Sequence, residues 1–161
     1  MKIIVLFLFL SIPVFIFSLT YGSYESSTDD LRIYFLDLVN QYRISNDLFQ
    51  LECIFNEIPQ KFTDFQMKIG IFLGHIGFSN RAKEIRKMIE KTYGLQITNF
   101  VVAENVAYVK GDDLLNRAFK GFLKSWSHKN NILSSKYKWT AIGISKSENK
   151  LYICQMFWDF K

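Results

Sequence analysis

Two apolar runs near the end of the chain decide the fold: Trp139-Thr140-Ala141-Ile142-Gly143-Ile144-Ser145 and Leu151-Tyr152-Ile153-Cys154-Gln155-Met156-Phe157-Trp158-Asp159-Phe160. Both are rich in β-branched and aromatic residues, and the polar Ser147-Glu148-Asn149 lies between them, so they read as an antiparallel hairpin. Upstream, Ile97 to Val109 has the same character. Asn99-Phe100-Val101-Val102 and Val106-Ala107-Tyr108-Val109 flank Glu104-Asn105 there, which predicts one or two further strands.

Around these strands the apolar residues recur at helical spacing. Leu31, Phe35, Leu38, Val39 and Tyr42 mark a first helix over Asp29–Tyr42, with Thr28, Asp29 and Asp30 as cap and first-turn negative charge. Ile58, Phe62, Phe65, Ile69 and Phe72 mark a second, with Pro59 in its first turn and an end near Gly74, so His75 falls just past a helix C-terminus. A third, basic helix runs from Arg81 to Tyr93 and stops at Gly94. Ala82, Ile85 and Ile89 form its apolar face, and Arg81, Lys83, Arg86, Lys87 and Lys91 lie elsewhere. Asp112 and Asp113 cap a fourth helix whose stripe is Leu115, Ala118, Phe119, Phe122 and Trp126.

Helices first and strands later give an α+β class, with helices packed on a mostly antiparallel sheet. The 161 residues are 49% hydrophobic and 22% charged, enough to bury one core and too apolar for a disordered chain. No Gly-rich strand-to-helix turn is present, so nucleotide binding has no support. The net charge of +5 comes from basic residues scattered among acidic ones, so no dedicated nucleic-acid surface is implied. The basic third helix also carries Glu84 and Glu90; it reads as a solvated face, with binding to anionic surfaces as the alternative.

The N-terminus has its own logic. Lys2 precedes an uncharged run from Ile3 to Leu19, followed by small residues at Thr20, Gly22 and Ser23, the layout of a secretory signal peptide over 1–22. The mature domain is then 23–161, secreted and without a stable transmembrane segment. An uncleaved anchor is the other reading, weakened by Pro13 and by a run at the short edge of what spans a bilayer. In an oxidising compartment Cys53 and Cys154 can form one bridge, worth about 4–5 kcal/mol for a loop of about 100 residues in the chain-entropy model. The alternative is a pair of small buried hydrophobes.

Three residues could carry chemistry: His75 and His128, the two histidines of the chain, and Glu104, a carboxylate inside Val101-Val102-Ala103-Glu104-Asn105-Val106-Ala107. A lone histidine is usually structural, and a carboxylate in an apolar run needs a partner. If the three converge, two imidazoles and a carboxylate suit a divalent metal such as zinc with a position left for water, or acid–base chemistry. Only a fold could bring them together.

Four strings resemble successive motifs of the CAP superfamily (cysteine-rich secretory proteins, antigen 5 and pathogenesis-related proteins). They are Leu38-Val39-Asn40-Gln41-Tyr42-Arg43, Gly74-His75-Ile76-Gly77-Phe78-Ser79-Asn80-Arg81-Ala82, Ala103-Glu104-Asn105-Val106-Ala107 and Ser125-Trp126-Ser127-His128-Lys129-Asn130-Asn131-Ile132-Leu133. The likeness is to the compact bacterial form, the SCP-like extracellular domain, and it spans roughly residues 30–160. It implies a three-layer α-β-α sandwich whose central cavity is lined by His75, Glu104 and His128, with Ser125 and Asn131 behind them. The chain departs from the family pattern at Phe122, where the bacterial form has Trp, at Trp126-Ser127, which replaces the Pro-containing pair of Ser-Pro-x-His, and at Ser125, where eukaryotic members often bring a second glutamate.

The resemblance implies a secreted, non-enzymatic binding or interaction module whose cavity can hold a divalent metal, with an unidentified cell-surface, lipid or protein ligand. No nucleophile, oxyanion-hole motif or base with a sequence-adjacent partner is visible. Two alternatives use the same region: a metal-assisted or acid–base hydrolase on His75, Glu104 and His128, and a lipid- or sterol-binding module.

Overall fold

The computed structural model describes residues 27–161, so the expected signal peptide and its cleavage point lie outside the described residues. In chain order the elements are α1 (Thr28–Ile44), β1 (Glu52–Cys53), α2 (Glu57–Ile69), α3 (Phe78–Tyr93) and β2 (Phe100–Lys110). They are followed by α4 (Leu114–Lys124), α5 (Trp126–Ile132), β3 (Trp139–Ser147) and β4 (Lys150–Phe160). The sheet order is β1-β3-β4-β2. β4 pairs antiparallel with both β2 and β3, and the two-residue β1 adds in parallel to β3. The hairpin turn is tighter than expected: Ser147 pairs with Lys150, leaving Glu148-Asn149 as a two-residue connection.

β4 is buried without interruption from Leu151 to Trp158, because both sheet faces are covered by helices. Against one face α1, α4 and α5 place Phe35, Val39, Ala118, Phe122 and Ile132 on Ile142, Ile144, Ile153 and Phe157. Against the other, α2 and α3 place Ile58, Ile85 and Ile89 on Ala141, Cys154, Met156 and Trp158. Full burial of each large apolar side chain contributes about 1.5–3 kcal/mol before entropy. The result is the expected three-layer α-β-α sandwich.

Several local expectations are corrected. The N-cap of α1 is Ser27, whose hydroxyl accepts from the Asp30 amide while the Asp30 carboxylate accepts from the Ser27 amide in a capping box. α2 ends earlier, at Gly70, which adopts the left-handed conformation. Its phase also differs: Thr63 and Gln66 are buried, while Phe65, Ile69 and Phe72 are substantially exposed. Thr63 earns its place by accepting a hydrogen bond from Ser145, and Gln66 by accepting from the Leu73 amide, so polar partners outweigh the apolar pattern. The stripe of the fourth helix breaks at Ser125, whose extended backbone starts α5 in a new direction and leaves Trp126 81% exposed.

The Cys53–Cys154 bridge does not form. β3 lies between β1 and β4, and two strand spacings, about 9.5 Å, exceed the roughly 4.4–6.8 Å that a disulfide spans between Cα atoms. Both thiols are free. Cys53 is half-buried and donates to Asn56 at 3.1 Å; Cys154 is wholly buried.

Candidate functional site

The site forms at the β2 edge of the sheet, where the loop between α2 and α3 approaches α5. Glu104 points toward the α2–α3 side, and its side chain is 1% exposed. A carboxylate so desolvated requires compensation, and three groups supply it. Arg81, from the first turns of α3, donates Nε to Oε1 at 2.7 Å and brings Nη2 to 2.6 Å from the same oxygen. Cys154 on β4 donates its thiol to Oε1 at 3.4 Å. His75, in the loop between α2 and α3, places Nδ1 3.0 Å from Oε2.

Arg81 is the site residue that the helix pattern hides. It is nearly buried, its Nη1 donates to the Ile76 carbonyl at 2.9 Å, and its guanidinium stacks 3.7 Å over the Phe62 ring. Its signal in the sequence is a need: an apolar strand with one carboxylate implies a buried cation elsewhere. Burial and the adjacent Glu104 charge also drive the Cys154 thiol well above its ordinary range, so the proton stays on sulfur.

His128 comes from α5 in the opposite layer. Its ring centroid is 6.1 Å from that of His75, and it packs edge-on against Phe122 at 5.1 Å. Burial first, and the His75 charge second, lower its pKa below the ordinary 6.5, which favours neutral imidazole. The structure therefore brings His75, Glu104 and His128 into one site. Asn131 reaches it too, donating to Asn105 Oδ1 at 2.9 Å, whereas Ser125 faces Ser127 at 3.3 Å and contacts none of the three.

The three residues do not act as equivalent donors. Both Glu104 oxygens are engaged, Oε1 by Arg81 and Cys154 and Oε2 by His75. Among the described residues no group of three or more His, Cys, Asp or Glu side chains is placed to hold an ion. The Nδ1 contact to Glu104 leaves Nε2 as the uncommitted ring nitrogen of His75.

The architecture is that of the CAP fold class. No family model matches the chain, and no curated protein matches it. Solved structures do. An outer surface protein from Borrelia burgdorferi superposes with a TM-score of 0.57 at 17% identity, over 84% of this chain and 97% of that one. A cysteine-rich secretory protein from Staphylococcus aureus gives 0.52 at 16% identity, covering 83% of this chain and 40% of that protein. An extracellular protein containing an SCP domain from Bacillus anthracis gives 0.55 at 15%, covering 82% of this chain and 43% of that one. The chain thus spans about two fifths of the length of the latter two proteins, and at these identities the likeness is one of fold.

Proposed function

We propose that this protein is an extracellular CAP-like binding or interaction module, with His75 and His128 holding a divalent metal such as zinc beside its contact surface. The observation that carries the reading is where large apolar side chains stand in solvent. Ile76, next to His75, is 66% exposed, and Trp126, two residues before His128, is 81% exposed. Solvent-exposed large apolar groups around a polar centre suit recognition of a partner. The buried Glu104–Arg81 pair holds the His75 imidazole in place from beneath, as a carboxylate behind a metal-ligating histidine does. An extracellular setting agrees with the neighbours, described as an outer surface protein, a cysteine-rich secretory protein and an extracellular protein.

Calorimetric titration of the protein with zinc tests the metal part of this reading. The expected result is one ion bound by the wild type and lost in both His75→Ala and His128→Ala. A wild type that binds no zinc, or variants that bind it unchanged, would remove the metal from the proposal.

A further inference from the structure

Glu104 and Asn105 are consecutive on β2, so the two-residue period of a strand sends their side chains to opposite faces of the sheet. Glu104 holds His75 on the α2–α3 side. Asn105, wholly buried, donates Nδ2 to the main-chain oxygen of His128 at 3.0 Å on the other side. Asn131, one turn along α5, closes the arrangement: its Nδ2 lies 2.9 Å from Asn105 Oδ1 and 3.4 Å from the Glu104 carbonyl. Asn99 and Lys161 exchange both backbone bonds, so in the alternation that follows Glu104 turns its carbonyl away from β4, toward α5.

α5 has seven residues, too few to hold a helix by its own hydrogen bonds. Its position comes from outside. At its end the buried Arg43 of α1 donates Nη1 to the carbonyls of Ile132 at 2.6 Å and Ser134 at 2.9 Å. At its start the polar contact to the sheet is Asn105. Across β4, Asn105 faces Gln155, whose amide donates to Thr140 Oγ1, so Asn105 belongs to a buried polar row running over three strands.

We infer that Asn105 is the positioning residue of the histidine pair: by holding the His128 carbonyl while Glu104 holds His75, the dipeptide Glu104-Asn105 sets the distance between the two imidazoles. The consequence for metal binding rests on the function proposed above; the geometric claim does not.

The deciding variant is Asn105→Leu, which keeps the size and removes both the donor to His128 and the acceptor for Asn131. Two readouts separate the claims. In metal-free protein, NOEs between the ring protons of His75 and His128, and the ring-current shift of His128 from Phe122, report the geometry. In the wild type both are expected; in Asn105→Leu the inter-ring NOEs are lost while His75 stays paired with Glu104. Asn131→Ala, at a half-buried position, is the milder companion should the first variant not fold, and is expected to weaken the same NOEs. Zinc titration then adds a loss of about 10-fold or more in affinity for either variant. Folded variants with unchanged inter-ring NOEs and ring shifts overturn the inference. A wild type that shows the NOEs but binds no zinc leaves the positioning claim standing and removes the metal reading alone.

Discussion

Gly143 of β3 lies directly beneath Pro59 of α2: a Cβ at Gly143 would overlap the Pro59 carbonyl carbon and oxygen and come within 2.5 Å of the Gln60 nitrogen. Only glycine lets the first turn of α2 rest on the sheet at this point. The obstructing atoms are backbone, so no side chain can swing aside. Gly143→Ala is therefore expected to destabilise by about 3 kcal/mol or to prevent folding, at the upper end of overpacking costs. Urea unfolding measures it, and a loss under 1 kcal/mol would show that α2 can lift away.

The same contact brings α2 side chains to the open side of β3. β1 covers only Trp139 and Thr140; beyond them Asn56 Oδ1 accepts from the Ile142 amide, and the Gln60 amide accepts from Ile144 N and donates to Ile144 O. Two side chains thus replace a missing strand and seal an edge that would otherwise template association. Removing both, in Asn56→Ala with Gln60→Ala, should cost about 2–4 kcal/mol and produce concentration-dependent self-association by sedimentation velocity. A double variant that stays monomeric at every concentration would mean that the seal is not needed.

Arg81 and Glu104 form an ion pair with side-chain exposures of 8% and 1%. Breaking such a pair from one side leaves a charge without compensation, so Arg81→Met is expected to cost about 3–5 kcal/mol. Glu104→Gln should cost less than Glu104→Ala, since it keeps an oxygen for the guanidinium. Equal losses in the two glutamate variants would assign the effect to packing instead of charge.

The lowered pKa of His128 makes a signed prediction for acid stability. As the pH falls below 6.5, the unfolded chain takes up this proton before the folded chain does, so the contribution of His128 favours unfolding on acidification. Stability should rise with pH through the window just below 6.5 and become independent of this group above it. Denaturation midpoints of metal-free protein between pH 5 and 7.5 measure the slope. His128→Phe should flatten it; an unchanged slope would place the acid sensitivity elsewhere.

Trp126 carries a stability prediction of its own. At 81% exposure, Trp126→Ala should change the unfolding free energy by no more than about 0.5 kcal/mol. A larger loss would show that the indole packs against the domain and does not stand free for a partner.

The hairpin and the strand around Glu104 were legible because strand period and β-branched composition coincide there, and β4 reads as a continuous apolar run because it is central. His75, Glu104 and His128 were legible as candidates from their scarcity and from Glu104's apolar setting, while the motif strings supplied their convergence. Residues whose role depends on a distant partner were not legible. Arg81 shares a charged helix with solvated lysines, and nothing in its local spacing announces Glu104 on another element. Thr63 and Gln66 displaced Phe65 and Ile69 from the buried side of α2 because Ser145 and the Leu73 amide reach them, information that a helical period does not contain. Trp126 continued the stripe of the fourth helix in sequence, and only the backbone break at Ser125 turned it outward.

The strand order also bears on how the domain comes into being. β4 follows the other three strands in sequence yet occupies an interior position between β2 and β3; β2 pairs with it alone, and β3 has only the two-residue β1 besides. A nascent chain emerging residue by residue can close α1 through α3 as local helices, but it has no sheet to lay them on until residues 150–160 arrive. The sheet is therefore organised around its most distant partner: β2 and all of β3 beyond Thr140 have no strand to pair with except residues 150–160.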